Sequence, residues 1–99
     1  MKRKEKTVDT MIRCEKREKD GNCYKYELVM RESGRVASYR LPLYSIFVEM
    51  KQQDGTVTNA ETKEVFADAG RAIIFFDKLV RNLATPIDLA YIVEDELAK

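Results

Sequence analysis

The sequence predicts an α+β fold, a four- to five-stranded antiparallel sheet with two C-terminal helices packed on one face. The first part of the chain alternates apolar and polar residues between Asp-Gly and Ser-Gly turn signals, a pattern typical of antiparallel strands. From Asp68 onward the apolar residues recur at helical spacing. A length of 99 residues suits one domain. We expect a single α+β domain over residues 8–99, preceded by a flexible basic arm over residues 1–7.

The first hairpin joins two strands across Asp20-Gly21. The alternation of residues 23–30 places four side chains on one face of the second strand: Tyr24, Tyr26, Leu28 and Met30. A two-residue loop would bring three charges of the first strand to that face, whereas a loop over residues 19–21 brings Val8, Ile12 and Cys14 there. The sequence therefore favours the three-residue loop, with Gly21 in the left-handed conformation of a bulge.

This register also predicts the state of the two cysteines. It pairs Cys14 with Tyr26 and Cys23 with Arg17, so that the cysteines lie on opposite faces. Their Cα atoms are then beyond the separation of about 7 Å that a disulfide can bridge. We expect two free thiols, as in a reducing cytoplasm, with Cys14 as a small core residue.

Two further hairpins extend the predicted sheet. The turn over residues 32–35 leads into a strand that returns over residues 36–41, and Pro42 interrupts the ladder because it has no N–H to donate. The next strand, over residues 43–50, has apolar residues on both faces, with Ile46 on one side and Phe47 on the other. Such a strand is covered on both sides, or its outer face meets a partner. A turn over residues 52–55 then leads into a short strand over residues 56–62.

Two amphipathic helices close the chain. Asp68 is a suitable N-cap for the first helix, whose apolar stripe runs from Ala69 to Leu83 and which ends near Ala84. Thr85-Pro86-Ile87-Asp88 combines a cap, a proline at the first helical position and an acid in the first turn, which indicates the start of the second helix. That helix extends to about Leu97, with Leu89, Val93 and Leu97 facing inward.

The composition argues against most catalytic chemistry. The chain has 18 Lys and Arg, 17 Asp and Glu, two cysteines and no histidine. This excludes Ser-His-Asp and Cys-His catalysis, histidine-based zinc sites and four-cysteine metal sites. The consecutive acids Glu94, Asp95 and Glu96 point in three directions on a helix and cannot hold one metal together. We therefore expect no enzymatic activity, no cofactor, no metal and no small-molecule ligand.

Hydropathy predicts a cytoplasmic protein. No segment approaches the roughly 20 apolar residues that span a membrane. The N-terminus also lacks the apolar segment of a signal peptide. We expect neither a membrane partner nor secretion.

The near-neutral total charge conceals an internal asymmetry. Residues 1–40 hold 12 Lys and Arg against 7 Asp and Glu, a net charge of +5, whereas residues 41–99 hold 6 against 10, a net charge of −4. A basic segment of this kind can contact nucleic acid, while the acidic second helix would be repelled by phosphates. The residues available for such contacts are Lys2, Arg3, Lys4, Lys6, Arg13, Arg17 and Lys19.

The C-terminal third resembles a known family. Leu83-Ala84-Thr85-Pro86-Ile87-Asp88-Leu89 followed by Val93-Glu94-Asp95-Glu96-Leu97 is similar to the link and the ending of a family of small Bacillota proteins of unknown function. Members carry a β-hairpin half, a helix, a Pro-Ile-x-Leu link and a Val-Glu-Asp ending. The resemblance implies an α+β fold and a bacterial setting, and it supplies no site residues.

These observations favour a small non-enzymatic module that binds and regulates a partner protein, or that self-associates. The candidate contact residues are apolar side chains on otherwise polar faces: Phe47, Ile74, Ile87 and Tyr91. A first alternative is an accessory factor in a DNA transaction, recombination or transcription, that uses the basic arm and hairpin. A second is a mobile-element-encoded inhibitor that occupies a basic site of a host protein through Asp88 and residues 94–96.

Overall fold

A computed structural model describes residues 9–33 and 41–98 and confirms the α+β fold. Four antiparallel strands lie in the order β1-β2-β3-β4, followed by two C-terminal helices. The basic arm, residues 1–7, and the predicted strand over residues 36–41, except Leu41, lie outside the described residues. The elements are β1 (Asp9–Lys19), β2 (Asn22–Ser33), β3 (Leu41–Lys51), β4 (Val57–Phe66), α1 (Ala69–Arg81) and α2 (Pro86–Leu97).

The predicted three-residue loop of the first hairpin is wrong. Lys19 pairs directly with Asn22, so the loop has two residues, and Asp20 and Gly21 have φ values of 54° and 82°. Two consecutive positive φ values define the type I′ turn, which matches the twist of the flanking strands and favours Asp-Gly. This turn places Arg13, Glu15 and Arg17 opposite Leu28, Tyr26 and Tyr24.

The extra residue that the sequence had placed at the turn is instead a β-bulge inside β1. The register shifts between Met11 and Arg13, and Ile12 packs against the core. Upstream of the bulge, Thr10 pairs with Met30, which is the register that the sequence predicted. A bulge opposes two residues to one, so Ile12 can pack against the core while the turn keeps two residues.

Both cysteines are free and exposed. The free thiols were predicted correctly, but their surroundings were not. Cys14 pairs with Glu27 and Cys23 with Glu18, so the two cysteines share the face of the sheet opposite the helices. Cys14 is therefore not a core residue, because the changed register turns it away from Tyr26.

Pro42 does not interrupt the sheet as predicted. β3 begins at Leu41 and Pro42 pairs with Glu32. The described pairing of β3 with β4 reaches only Tyr44 and Phe66. In an antiparallel ladder, alternate residues direct their backbone groups to opposite neighbours, and residue 42 directs its groups away from β2. On that side, β4 has no described residue paired with Pro42. The missing N–H of proline therefore costs no hydrogen bond between these strands.

The turn between β3 and β4 is a three-residue loop. Gln52 donates its backbone N–H to the Thr56 carbonyl at 2.7 Å, and Gly55 has a φ of 93°. Glycine suits this left-handed position because it has no Cβ. Hydrogen bonds from Thr56 lower the pKa of the Asp54 carboxyl.

The core lies between one face of the sheet and the two helices. β2 contributes Tyr26 and Leu28 and β3 contributes Ile46 and Val48, all fully buried as the alternation predicted. α1 contributes Ala72, Phe75, Phe76, Leu79 and Val80, and α2 contributes Leu89 and Val93. Leu97, predicted to face inward, is 53% exposed.

The helix boundaries follow from their caps. Asp68 accepts a hydrogen bond from the Arg71 backbone N–H at 2.8 Å, as expected for an N-cap. Thr85 and Asp88 form a capping box at the start of α2, with Pro86 at the first helical position. Both helix starts were predicted from the sequence, because capping depends on residues within one turn.

The link between the helices is anchored to the sheet. α1 ends with hydrogen bonds from the Ala84 N–H to the Leu79 carbonyl and from the Leu83 N–H to the Val80 carbonyl. This is the Schellman arrangement, and Leu83 takes its left-handed position with a φ of 51°. The hydroxyl of Tyr26 donates a buried 2.9 Å hydrogen bond to the Ala84 carbonyl.

Candidate interaction surfaces

A groove lies between α1 and α2. It has a volume of about 370 Å³. Leu79 and Ile92 supply its apolar part, Tyr91 stands at its side, and Lys78, Asn82 and Asp95 form a polar rim. An apolar floor inside a polar rim is the usual anatomy of a small protein-binding site.

Tyr91 lines this groove, and Ile87 lies one turn earlier on the exposed face of α2. They are four residues apart, so they are neighbours on the helix surface. Ile87 is 71% exposed and Tyr91 is 69% exposed. Large exposed apolar side chains, and tyrosine in particular, are frequent anchors of protein interfaces.

Ion pairs hold the two walls of the groove together. The Glu96 carboxylate on α2 lies 3.8 Å from both the Arg71 guanidinium and the Lys78 ammonium on α1. The Arg71 guanidinium also lies 5.5 Å from the centre of the Phe66 ring. Each exposed pair contributes little to stability, and both link α2 to α1.

The four predicted contact residues do not form one surface. Ile74 is 71% exposed on α1 but does not line the groove. Phe47 pairs with Glu27 and Glu61, so it lies on the face of the sheet opposite the helices. Only Ile87 and Tyr91 are brought together.

The face of the sheet opposite the helices carries alternating charges around Phe47. Glu27 and Glu61 flank Phe47 on the neighbouring strands, and Lys25 lies 3.6 Å from Glu27. Ser45, on the same face, is buried. Lys16, Lys25 and Lys51 lie on the same face with Glu18 and Glu49. Charges of both signs are therefore mixed on this face and form no continuous basic path for phosphates.

The basic residues predicted on β1 lie close to acids. The Arg17 guanidinium is 3.0 Å from the Glu15 carboxylate. A groove of about 570 Å³ between β1 and α1 is lined by three cations, three anions and two apolar residues: Arg17, Lys19, Arg81, Glu15, Glu18, Asp77, Val80 and Leu83. Its charges balance, so it has no excess of positive charge toward DNA.

Two arginines of β1 also bond to their own strand. Arg13 donates from Nη1 to the Ile12 carbonyl at 3.0 Å, and Arg17 donates from Nη1 to the Lys16 carbonyl at 2.9 Å. The remaining predicted nucleic-acid residues, Lys2, Arg3, Lys4 and Lys6, lie outside the described residues.

The carboxylates of α2 have different surroundings. Asp88 completes the capping box and Glu96 pairs with α1, so both already have intramolecular partners. Glu94 and Asp95 are exposed. Of the acids proposed to occupy a basic site on another protein, these two are therefore the more accessible.

Neither a metal site nor a membrane span occurs in the described part of the chain. No three Asp, Glu or Cys residues within ranges 9–33 and 41–98 are grouped as a metal would require. Over the same ranges, no helix is long and apolar enough to cross a membrane.

Comparison with known proteins places the chain in a family. The model of a family of unknown function, DUF6514, matches residues 5–99. The chain belongs to the DUF6514 family. No curated protein and no solved structure matches it.

Several features of this DUF6514 chain were not apparent from its sequence. The groove requires Leu79 and Ile92 to meet across two helices, and no local pattern states how two helices dock. One signal was present, because Ile87, Tyr91 and Ile92 add apolar residues to α2 beyond its inward row. The hydrogen bonds from Arg13 and Arg17 to backbone carbonyls could not be predicted, because the sequence pattern favoured a different register for β1.

Proposed function

We propose that this DUF6514 protein is a small non-enzymatic module that binds a partner protein and regulates it. The observation that carries the proposal is the exposed pair Ile87 and Tyr91 on α2, of which Tyr91 lines the interhelical groove. Exposed aromatic and aliphatic side chains next to an apolar pocket are the usual anchors of protein interfaces. The complete lack of histidine in the chain is consistent with a role in binding.

The proposed setting is the cytoplasm of a bacterium of the Bacillota. Two exposed free thiols suit a reducing compartment. The Bacillota assignment rests on the resemblance of the Pro-Ile-x-Leu link and the Val-Glu-Asp ending.

The test compares variants at two equally exposed isoleucines. Tagged wild-type protein, an Ile87→Ser/Tyr91→Ser double variant and an Ile74→Ser control are incubated with lysate of the native host, cross-linked and quantified by mass spectrometry. We expect one partner to be enriched by the wild type and by Ile74→Ser, and lost with the double variant. Equal enrichment by all three proteins, or no enriched partner together with a strict monomer in light scattering, would contradict the proposal.

A DNA-accessory role is the second candidate, favoured by the net charge of +5 in residues 1–40. It predicts DNA affinity that falls steeply with salt and drops when Lys2, Arg3, Lys4 and Lys6 are neutralised. Fluorescence anisotropy with duplex DNA over a salt series measures both effects. Absent or salt-independent binding excludes this role.

The inhibitor role makes a different prediction. Neutralising Glu94 and Asp95 should abolish partner binding, because these carboxylates are exposed and not used in the capping box or the ion pairs with α1. Loss of capture by the Glu94→Gln/Asp95→Asn variant, with the Ile87→Ser/Tyr91→Ser variant still binding, would favour it over the leading proposal.

A further inference from the structure

The two edge strands of the sheet, β1 and β4, differ in whether side chains bond to their outward backbone carbonyls. The two-residue turn makes Lys19 and Asn22 a hydrogen-bonded pair, so alternation directs the backbone groups of Cys14, Lys16 and Glu18 away from β2. On that outer side, Arg17 donates to the Lys16 carbonyl, and Arg13 donates to the carbonyl of the bulge residue Ile12. These bonds and the bulge disfavour the addition of another strand to β1.

Among the described residues, the β4 edge has no such bond over residues 57–62, and its own register shift lies beyond Thr62. The Gln52–Thr56 hydrogen bond sets the alternation of β4, so the backbone groups of Val57, Asn59 and Glu61 point away from β3. Residues 57–62 contain no arginine or lysine that could bond to these carbonyls. Among the described strands, none lies beyond β4.

The second helix provides a cover for this edge. α2 packs over β4 and β3, and it meets α1 on the side of Tyr91, Ile92 and Asp95. Helical spacing then puts Ala90 and Leu97 on the opposite flank, above the space beside β4. Both residues are exposed, Leu97 by 53%. A strand added to β4 would bury its helix-side residues under this flank.

Two exposed carboxylates lie near the edge. On α2, helical spacing puts Glu94 on the same flank as Ala90 and Leu97. On the other face of the sheet, Glu61 of β4 is exposed. A strand with basic residues on that side would therefore be attracted, and an acidic one repelled.

We propose that the β4 edge and the α2 flank bind an extended segment of a partner protein in which apolar and basic residues alternate. The segment adds as a fifth strand, with its apolar residues against Ala90 and Leu97 and its basic residues beside Glu61. This inference rests on the proposed function and names the kind of partner segment that the module takes.

The probe is a blocked synthetic peptide of alternating valine and lysine, added to the isotope-labelled full chain and followed through backbone amide shifts. We expect the largest shifts at Val57, Asn59 and Glu61. Asn59→Pro removes one outward N–H, which an edge strand tolerates, and should weaken binding about tenfold. Asn59→Ala, which keeps the N–H, and Lys16→Pro, which removes an outward N–H on β1, should bind as the wild type does.

If circular dichroism shows that Asn59→Pro does not fold, a second variant provides the test. Glu61→Lys should weaken binding of the valine–lysine peptide and strengthen binding of a valine–glutamate peptide. The proposal is overturned if shifts fall on residues 14–18, if the peptide does not bind, or if neither Asn59→Pro nor Glu61→Lys changes its affinity. Partner capture that depends on Ile87 and Tyr91 but not on Asn59→Pro would overturn strand addition while leaving the proposed function intact.

Discussion

Leu83 occupies a backbone conformation that leucine rarely adopts. Its φ of 51° lies in the left-handed region, which costs a residue with a Cβ roughly 1–2 kcal/mol. Glycine is the usual residue at this position after a helix. The Leu83 side chain lines the groove between β1 and α1, so its contacts there offset part of the conformational cost.

Replacing Leu83 separates these two effects. Leu83→Gly relieves the backbone cost and Leu83→Ala does not, while both remove the side-chain contacts. We expect the glycine variant to be more stable than the alanine variant by about 1 kcal/mol. Urea denaturation of the two variants measures the difference, and equal midpoints with equal slopes would contradict it.

The Tyr26 hydroxyl links the sheet to the turn between the helices. It is buried and donates to the Ala84 carbonyl at 2.9 Å. Tyr26→Phe removes the donor and leaves a buried acceptor unpaired, which should lower the free energy of unfolding by about 1–3 kcal/mol. Urea denaturation at neutral pH measures the loss, with Tyr91→Phe as an exposed control that should change stability little.

The same residue predicts a dependence on pH. Burial raises the pKa of Tyr26 to about 12 from its ordinary value of 10.0, and the nearby Tyr24 adds to the rise. Above pH 10.0 the unfolded chain loses the tyrosine proton more readily than the folded protein does. The contribution of Tyr26 to the free energy of unfolding is therefore complete below pH 10.0 and is lost as pH rises toward about 12. Wild-type stability should fall more steeply over this interval than that of Tyr26→Phe, and parallel curves would refute the prediction.

At the scale of elements, local signals predicted the helices well and the first hairpin only in part. Asp68, Thr85 and Pro86 act within one turn, so their effects are visible in the sequence. The register of β1 depends on which part of the sheet the helices cover. The prediction rejected a two-residue loop because such a loop would bury Arg13, Glu15 and Arg17. In the structure, however, the helices pack over β2, β3 and β4 and leave Arg13 and Arg17 exposed. The assumed cost is thus largely absent.

The bulge makes opposite predictions for two residues that the sequence had both placed in the core. Ile12→Ala should lower the free energy of unfolding by about 1–2 kcal/mol, less than for a fully buried isoleucine. Cys14→Ala should change it by less than about 0.5 kcal/mol, because the side chain is exposed. Denaturation of both variants under reducing conditions compares them, and a larger loss for Cys14→Ala would favour the three-residue loop.

The arginines of β1 should limit association at that edge. An Arg13→Thr/Arg17→Thr variant loses both bonds to outward carbonyls and gains β-propensity, so we expect concentration-dependent self-association. Arg81→Thr removes a cation from the neighbouring groove without touching the edge and is the matched control. Light scattering over a concentration series distinguishes them, and a monomeric double variant would show that the bulge alone protects the edge.

At the scale of the whole molecule, the sequence predicted which large apolar side chains lie away from the core, but not which of them share a surface. Ile87 and Tyr91 could be identified because helical spacing places both away from the inward row of α2. Strand alternation singled out Phe47 and helical spacing singled out Ile74, yet the sheet separates Phe47 from the helices and Ile74 does not line the groove. Which exposed residues share a surface depends on the docking of α1, α2 and the sheet, which involves contacts distant in sequence.

The helices pack over β2, β3 and β4 rather than over β1, so the strands should differ in how strongly their amides are protected from hydrogen exchange. β2, β3, β4 and both helices share the buried core, whereas β1 contributes mainly Ile12 to it. Local opening requires less free energy where few apolar contacts are broken. Amide hydrogens of β1 that bond to β2 should therefore exchange with solvent through detachment of this strand, while those between β2 and β3 exchange only when the whole domain unfolds.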